Sequence, residues 1–352
     1  LNRRRMLSIA QQIVEVREKG AEVILVTSGA IAAGRERIGR EQLGRVNGAK
    51  SLPAKQMLAA VGQAHLMLAW EQVFGMFDAQ VGQVLLTRAD LSDRRRYLNA
   101  RDALNAILAW HVVPIVNEND AVATEEIRVG DNDTLSALVA NVVNADLLLI
   151  LSDIAGLYTA DPRQDSSATL IREVAQIDDT LWAMAGASRS GLGVGGMSTK
   201  LRAAELATRS GTVMVIADGA RPNVIVDAVA GVSVGTRFAA TSTKIESRKR
   251  WILSERALGS VVVDEGAAGA VRNGRSLLPV GVRAVHGEFD RGEAVLVKDP
   301  RGHTIAQGIT RYSAAEAALL AGRQSSEIEA ILGYESAPML IHADDMVVVA
   351  LL

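Results

Sequence analysis

From residue 6 to residue 217, short aliphatic runs alternate with segments of helical periodicity, and that alternation limits the fold more than any other feature. Met6, Ile9, Ile13 and Val16 recur at helical spacing and predict a helix that ends at Gly20. Glu22 to Val26 predicts a strand, and Thr27-Ser28-Gly29-Ala30 turns from it into another helix. Pro53 to Phe77 predicts a long helix, Val81 to Leu86 a strand, and Ser92 the cap of a helix running to Trp110. Val112 to Val116 and Leu147 to Leu151 predict strands flanking a helix from Asp131 or Asn132 to Asn144. Ser198 to Ser210 is again helical and Val213 to Ala217 a strand. Such a pattern gives an α/β domain with a mostly parallel sheet, whose ligands bind beyond the carboxyl ends of the strands. Thr-Ser-Gly-Ala, Thr-Arg-Ala-Asp, Asn-Glu-Asn-Asp, Ser-Asp and Ala-Asp-Gly follow the strands, so a polar cleft is expected there.

The 352 residues exceed one small domain. Aromatic residues make up 3% of the chain, so the core is expected to be built from Ala, Val, Leu and Ile. With no cysteine, disulfides, thiolate metal sites and a cysteine nucleophile are excluded. A net charge of −2 argues against a general nucleic-acid binder. No apolar run reaches the roughly 20 residues of a membrane helix. The chain is expected to be soluble and cytoplasmic. It does not begin with Met, which suggests that something upstream is missing.

Beyond residue 240 the texture changes. Residues 241–257 are expected to be a linker and 258–352 a small β-rich domain, with runs at Ser260 to Val263 and Ala294 to Lys298. Helices are predicted at Ser313 to Leu320 and Ser325 to Leu332.

Four stretches carry chemistry. Gly191 to Lys200 places glycines directly before a helix, where backbone N–H groups approach phosphate closely and Lys200 supplies a mobile positive charge. The glycine spacing is not that of a P-loop, and alone the stretch reads equally as a surface loop before a capped helix. Gly130-Asp131-Asn132-Asp133 follows closely on Asn117-Glu118-Asn119-Asp120. One such acid is explained as a helix cap, but two successive loops of carboxylates and amides suit an ammonium group or a metal–nucleotide site. Thr27 to Gly34 leaves room for a ligand carboxylate at a helix N-terminus, with Ser28 as donor. Ser152-Asp153 is the fourth and is unremarkable in isolation. The five histidines lack metal-ligand spacing.

In this order the stretches VTSGAIAAGR, KQMLAAVGQ, LLTRAD, NENDAVAT, VGDNDTLSALVA, SDIAGLYTADPR and GLGVGGMSTK resemble the amino-acid kinase family and, within it, the glutamate 5-kinases. SLLPVGV, GEFDRGE, ILGY and IHADDMV resemble the PUA domain many bacterial members carry. The resemblance implies a three-layer α/β/α sandwich over residues 1–240 followed by a PUA-like pseudo-barrel. It implies ATP-dependent phosphorylation of the glutamate side-chain carboxylate with Mg²⁺, the first step of proline synthesis. Ser28, Asp120 and Asn132 would contact glutamate. Ser152, Asp153, Val194, Gly195, Gly196, Met197, Ser198, Thr199 and Lys200 would hold ATP. Lys200 would stabilise the phosphoryl group in flight and Asp133 would orient the catalytic lysines. A homo-oligomer, dimer or tetramer, and inhibition by proline are further implications. Family members open on a strand of the type Val-Lys-Leu-Gly-Ser/Thr, and this sequence starts at the helix after it, so weak ATP binding and low turnover are expected. Residues 40–52 are expected to form a surface extension. Three other readings stand beside this one: an RNA-binding PUA protein, a catalytically impaired kinase, and a sister kinase acting on aspartate or acetylglutamate.

Overall fold

In a computed structural model, residues 1–39, 51–123, 131–184, 196–334 and 337–349 are described. Most of the extension expected at 40–52 lies outside them, as do Val194 and Gly195. Contacts divide the chain into two units, Leu1–Thr243 and Lys244–Leu352.

In the first unit, in chain order, come α1 (Arg3–Glu18), β1 (Leu25–Val26), α2 (Ala30–Ile38), α3 (Leu52–Gly75) and β2 (Val81–Leu86). Then follow α4 (Arg88–Ser92), α5 (Arg94–Ala109), β3 (Val113–Glu118), α6 (Asp131–Val142) and β4 (Leu147–Ser152). The unit ends with β5 (Glu173–Val174), α7 (Asp179–Met184), α8 (Gly196–Arg209), β6 (Val213–Asp218), α9 (Val224–Val229) and β7 (Gly235–Phe238). The strands form two sheets, ordered β1-β3-β2 and β4-β6-β7-β5. The first is wholly parallel. In the second, β4 and β6 run parallel while β7 turns back antiparallel to β6.

Alternation along the strands sorts the helices into two layers. Val113 and Ile115 of β3 and Val215 and Ala217 of β6 share one core with α1, α2, α3 and α9. The opposite face of β3, through Val116, packs with Ala100 and Leu104 of α5 and Leu135 and Val139 of α6. Ile150, Met214 and Ile216 of the second sheet pack with α8 on that same side. Helix α6 touches β1, β3 and β4, so it spans both sheets. The arrangement is the expected three-layer α/β/α sandwich. Strand β3, buried along most of its length, reads as a continuous apolar run because both its faces are covered.

Two differences from the sequence expectation have local causes. Strand β1 is confined to Leu25–Val26, the two residues that find partners in Ile115 and Val116. The helix expected to start at Ser92 is two helices: Thr87 caps the short α4, and the Asp93 side chain accepts from the Arg96 N–H to cap α5.

The second unit holds α10 (Lys244–Ser254), β8 (Gly259–Val263), α11 (Glu265–Arg272), β9 (Val282–Gly287), β10 (Ala294–Lys298), β11 (Thr304–Ile309), α12 (Ala314–Leu320), α13 (Ile328–Leu332) and β12 (Met346–Val348). One five-stranded sheet, β12-β11-β10-β8-β9, carries its core. Only the β8–β10 pairing is parallel. Residues 241–257, expected as a linker, contain α10. Ile252 of that helix is fully buried, and Gln307 of β11 donates to the Ile252 and Glu255 carbonyls, which ties the segment into the second unit.

Candidate active site

Packing between α2 and α3 places the first half of the site. A Cβ on Gly62 would stand 1.8 Å from the Ala30 carbonyl oxygen, and one on Gly34 would stand 2.0 Å from the Leu58 carbonyl oxygen. The two helices therefore touch backbone to backbone, and only glycine fits at either position. Gly29, with φ +103°, sits in the left-handed region and turns the chain from β1 into α2. This close approach brings the start of α2 beside the middle of α3. Between them and the carboxyl ends of β2 and β3 lies a cavity of about 290 Å³, lined by Ala30, Gln63, Gln83, Glu118, Asn119 and Asp120 among others. Ser28 is exposed two residues before Ala30. Gln56 of α3 donates to the Ala123 carbonyl at 3.0 Å and so anchors the loop carrying Asp120.

The second half is built by α6 against α8. The Asp133 carboxylate accepts from Lys200 Nζ at 2.9 Å and from Thr199 Oγ1 at 2.7 Å through the same oxygen, Oδ2. Both side chains of the ion pair are largely shielded, at 15% and 16% exposure, so the contact is screened far less than a surface pair. Asp133 thereby fixes the first turn of α8. Its helix N-terminus, where N–H groups lack intrahelical partners, begins at Gly196. Among the described residues, a Cβ at Gly196 would meet nothing within 4 Å. Lys200 keeps further N–H groups for an anion, since an ammonium has three.

The sequence-predicted residues fall into these groups. Asp120 lines the cavity, and Asp133, Thr199 and Lys200 meet in one cluster. Asn132 stands beside Asp133, with its Oδ1 buried and without a hydrogen-bond partner among the described residues. Gly196, Met197 and Ser198 form the first turn of α8. Ser152 is buried at the end of β4 and donates to Asp153 Oδ1 at 3.2 Å. Asp153 is exposed and faces Arg163 at 3.5 Å. The Thr-Arg-Ala-Asp loop serves structure instead. Asp90 accepts from the Thr87 backbone and hydroxyl and from Arg96, closing a capping box. Burial pushes its carboxyl up, but those hydrogen bonds outweigh it and hold the pKa below the ordinary range.

The amino acid kinase family pattern matches residues 2–218, and the PUA domain pattern matches residues 259–332. The chain belongs to the amino acid kinase family. Within that family it is 56% identical to a glutamate 5-kinase of Herpetosiphon aurantiacus over 349 residues, covering 99% of this chain and 93% of that protein. It is 51% identical to a glutamate 5-kinase of Yersinia pestis over 353 residues, covering 99% of this chain and 94% of that one. Among solved structures, a carbamate kinase from Giardia lamblia bound to AMP-PNP is 18% identical over 67% of this chain and 90% of that chain, with a TM-score of 0.49. The kinase pattern spans both halves of the site, the α2–α3 cavity and the α6–α8 ion pair.

Gln63 lines the cavity although nothing in the sequence marks it: it sits in KQMLAAVGQ as an ordinary polar position of a long helix.

Proposed function

We propose that this chain phosphorylates the side-chain carboxylate of L-glutamate with ATP, giving L-glutamyl 5-phosphate and ADP, the first step of proline biosynthesis. The observation that carries the reading in the structure is the shielded Lys200–Asp133 pair at the N-terminus of α8. Its likeness over nearly the whole chain to proteins named glutamate 5-kinase supports the choice of substrate. Ser28, Asp120 and Asn132 hold glutamate in this reading, while Ser152, Asp153 and residues 194–200 hold the nucleotide.

A carboxylate is already ionised near neutral pH, so the reaction needs no general base. One glutamate side-chain oxygen attacks the γ-phosphorus in line. The new O–P bond forms as the bond from the γ-phosphorus to the β–γ bridging oxygen breaks, and the electron pair leaves with ADP. What the protein supplies is position and charge. Lys200, steered by Asp133, donates to the transferring phosphoryl oxygens. The open N-terminal turn of α8 receives phosphate oxygens on its backbone N–H groups. Among the described residues no group of three or more acidic or imidazole side chains gathers to hold a metal ion. A magnesium ion would come in on the nucleotide phosphates, with the exposed Asp153 as the carboxylate that would meet it. Bound there, the ion would neutralise charge on the β- and γ-phosphates. No helix of the described residues is long and apolar enough to cross a membrane, and the reading extends to a cytoplasmic homo-oligomer restrained by proline.

The test is ADP release with glutamate, aspartate and N-acetylglutamate in turn. Release that depends on glutamate and exceeds that with the other two by at least about a hundredfold is expected. That contrast is within reach of a site whose buried polar groups are left unpaired by the wrong ligand. Equal or greater release with aspartate or acetylglutamate contradicts the reading.

A further inference from the structure

Two amides meet where Gln63 lines the α2–α3 cavity, with Asn117 behind it. The Asn117 side-chain amide, on β3 and 1% exposed, donates from Nδ2 to Gln63 Oε1 on α3 at 2.8 Å. Gln63 is itself 9% exposed and lines the cavity beside Asp120. Each amide has a second polar atom. Gln63 Nε2 and Asn117 Oδ1 are both buried and have no hydrogen-bond partner among the described residues. Turning both amides over exchanges which residue carries the spare donor, but one donor and one acceptor remain in either case. Buried polar groups are nearly always paired, so a spare donor and acceptor at a cavity wall call for a ligand that offers the complement.

An amino acid offers that complement at its main-chain end. Asp120 and Glu118 on the same wall suit the ammonium group. The carboxylate then needs N–H donors, and the start of α2 together with the spare donor of the amide pair, Gln63 Nε2 with the bond as placed, provides them. The cavity lies at the ends of β2 and β3 beneath α3, whereas Lys200 and Asp133 lie between α6 and α8, and α6 reaches across to β4. The end of glutamate held beside Gln63 is therefore the end that does not react.

We infer that Gln63 is a specificity-determining residue whose side-chain amide binds the α-carboxylate of the substrate. The inference rests on the proposed glutamate site and adds to it the residue that distinguishes an α-amino acid from a plain carboxylate. Because Gln63 also accepts from Asn117, it couples that recognition to the strand end from which Asp120 projects.

Calorimetric titration of the full chain with L-glutamate and with 4-aminobutyrate, which lacks the α-carboxylate, tests this. Gln63→Glu keeps an acceptor for Asn117 but replaces the spare donor with an anionic oxygen. Glutamate affinity should fall by about tenfold or more, as for a hydrogen bond to a charged group. The preference for glutamate over 4-aminobutyrate should shrink by the same factor. If Gln63→Glu lowers the melting temperature severely, Gln63→Met, similar in length and uncharged, carries the same comparison. Glutamate affinity within twofold of wild type, or an equal loss for both ligands, overturns the inference and leaves Gln63 a frame residue. Asp120→Asn separates the two levels. If it weakens glutamate while Gln63→Glu does not, only the inference fails; if neither changes glutamate binding, the site reading fails with it.

Discussion

Two helix pairs build the two ends of this site, and they are held by different physics. Helices α2 and α3 are fixed by steric contact, glycine against backbone, with no room for a methyl group at Gly34 or Gly62. Helices α6 and α8 are fixed at the site by one shielded carboxylate that gathers a lysine and a threonine. In the proposed reading the first pair makes a cavity for the small substrate, and the second holds a cation where charge moves during phosphoryl transfer. Substitutions should therefore fail differently at the two ends, by loss of fold at one and by loss of rate at the other.

The largest effect is expected at Lys200. Lys200→Met keeps an unbranched side chain and removes the charge, and the turnover number should fall by about 10²–10³-fold, the usual cost of deleting one donor to developing negative charge. The melting temperature should fall as well, because Asp133 loses its countercharge and keeps the Thr199 hydroxyl, but the loss of rate should be the larger effect. A turnover near wild type would place the transferring phosphate elsewhere. Next comes Gly62→Ala. Its Cβ would fall 1.8 Å from the Ala30 carbonyl, so the helices must part, at a cost of about 1–3 kcal/mol. Urea unfolding should report that loss, and KM for glutamate should rise more than KM for ATP. Unchanged stability would show that the α2–α3 contact is loose.

The smallest effect lies outside both pairs, in the second unit. Burial pushes the Asp299 carboxyl up. The His303 and Arg301 backbone N–H groups and the His303 ring outweigh that and hold its pKa below the usual carboxylate range. A carboxylate depressed in the folded state contributes stability above the unfolded value, about 4, and that contribution disappears as pH falls through the lower folded value. Asp299→Asn should flatten the acid limb of unfolding followed by calorimetry and leave kinase turnover unchanged. An acid limb as steep as that of wild type would contradict the assignment.

Much of this organisation was legible in the sequence because strand and helix periods differ and the strand-end residues are small or acidic. The mostly parallel α/β sheet, a polar cleft at the strand ends near Asp120, and Lys200 at the head of a helix followed from that, whereas the three-layer sandwich followed from the family resemblance. What was not legible depended on partners distant in sequence. Nothing local marks Glu173–Val174 and Gly235–Phe238 as strands, since their pairing comes from β6 and from each other. Residues 244–254 are mostly polar, and only the burial of Ile252 reveals a docked helix. Gln63 was hidden for the same reason, because one polar residue among several on a mostly apolar helix has no known orientation until Gly62 seats that helix against α2. The Thr87–Asp90 stretch read as part of a polar cleft because capping uses the same side chains as ligand binding.

The account depends most on Asp133 acting through Lys200 and not as an independent group. A double-mutant cycle on glutamate-dependent ADP release, with Asp133→Asn, Lys200→Met and the pair, measures that coupling directly. The expected result is strong non-additivity: once Lys200 is gone, Asp133→Asn should cost less than about threefold more. Losses that multiply would contradict it, and would make Asp133 and Lys200 neighbours with separate roles.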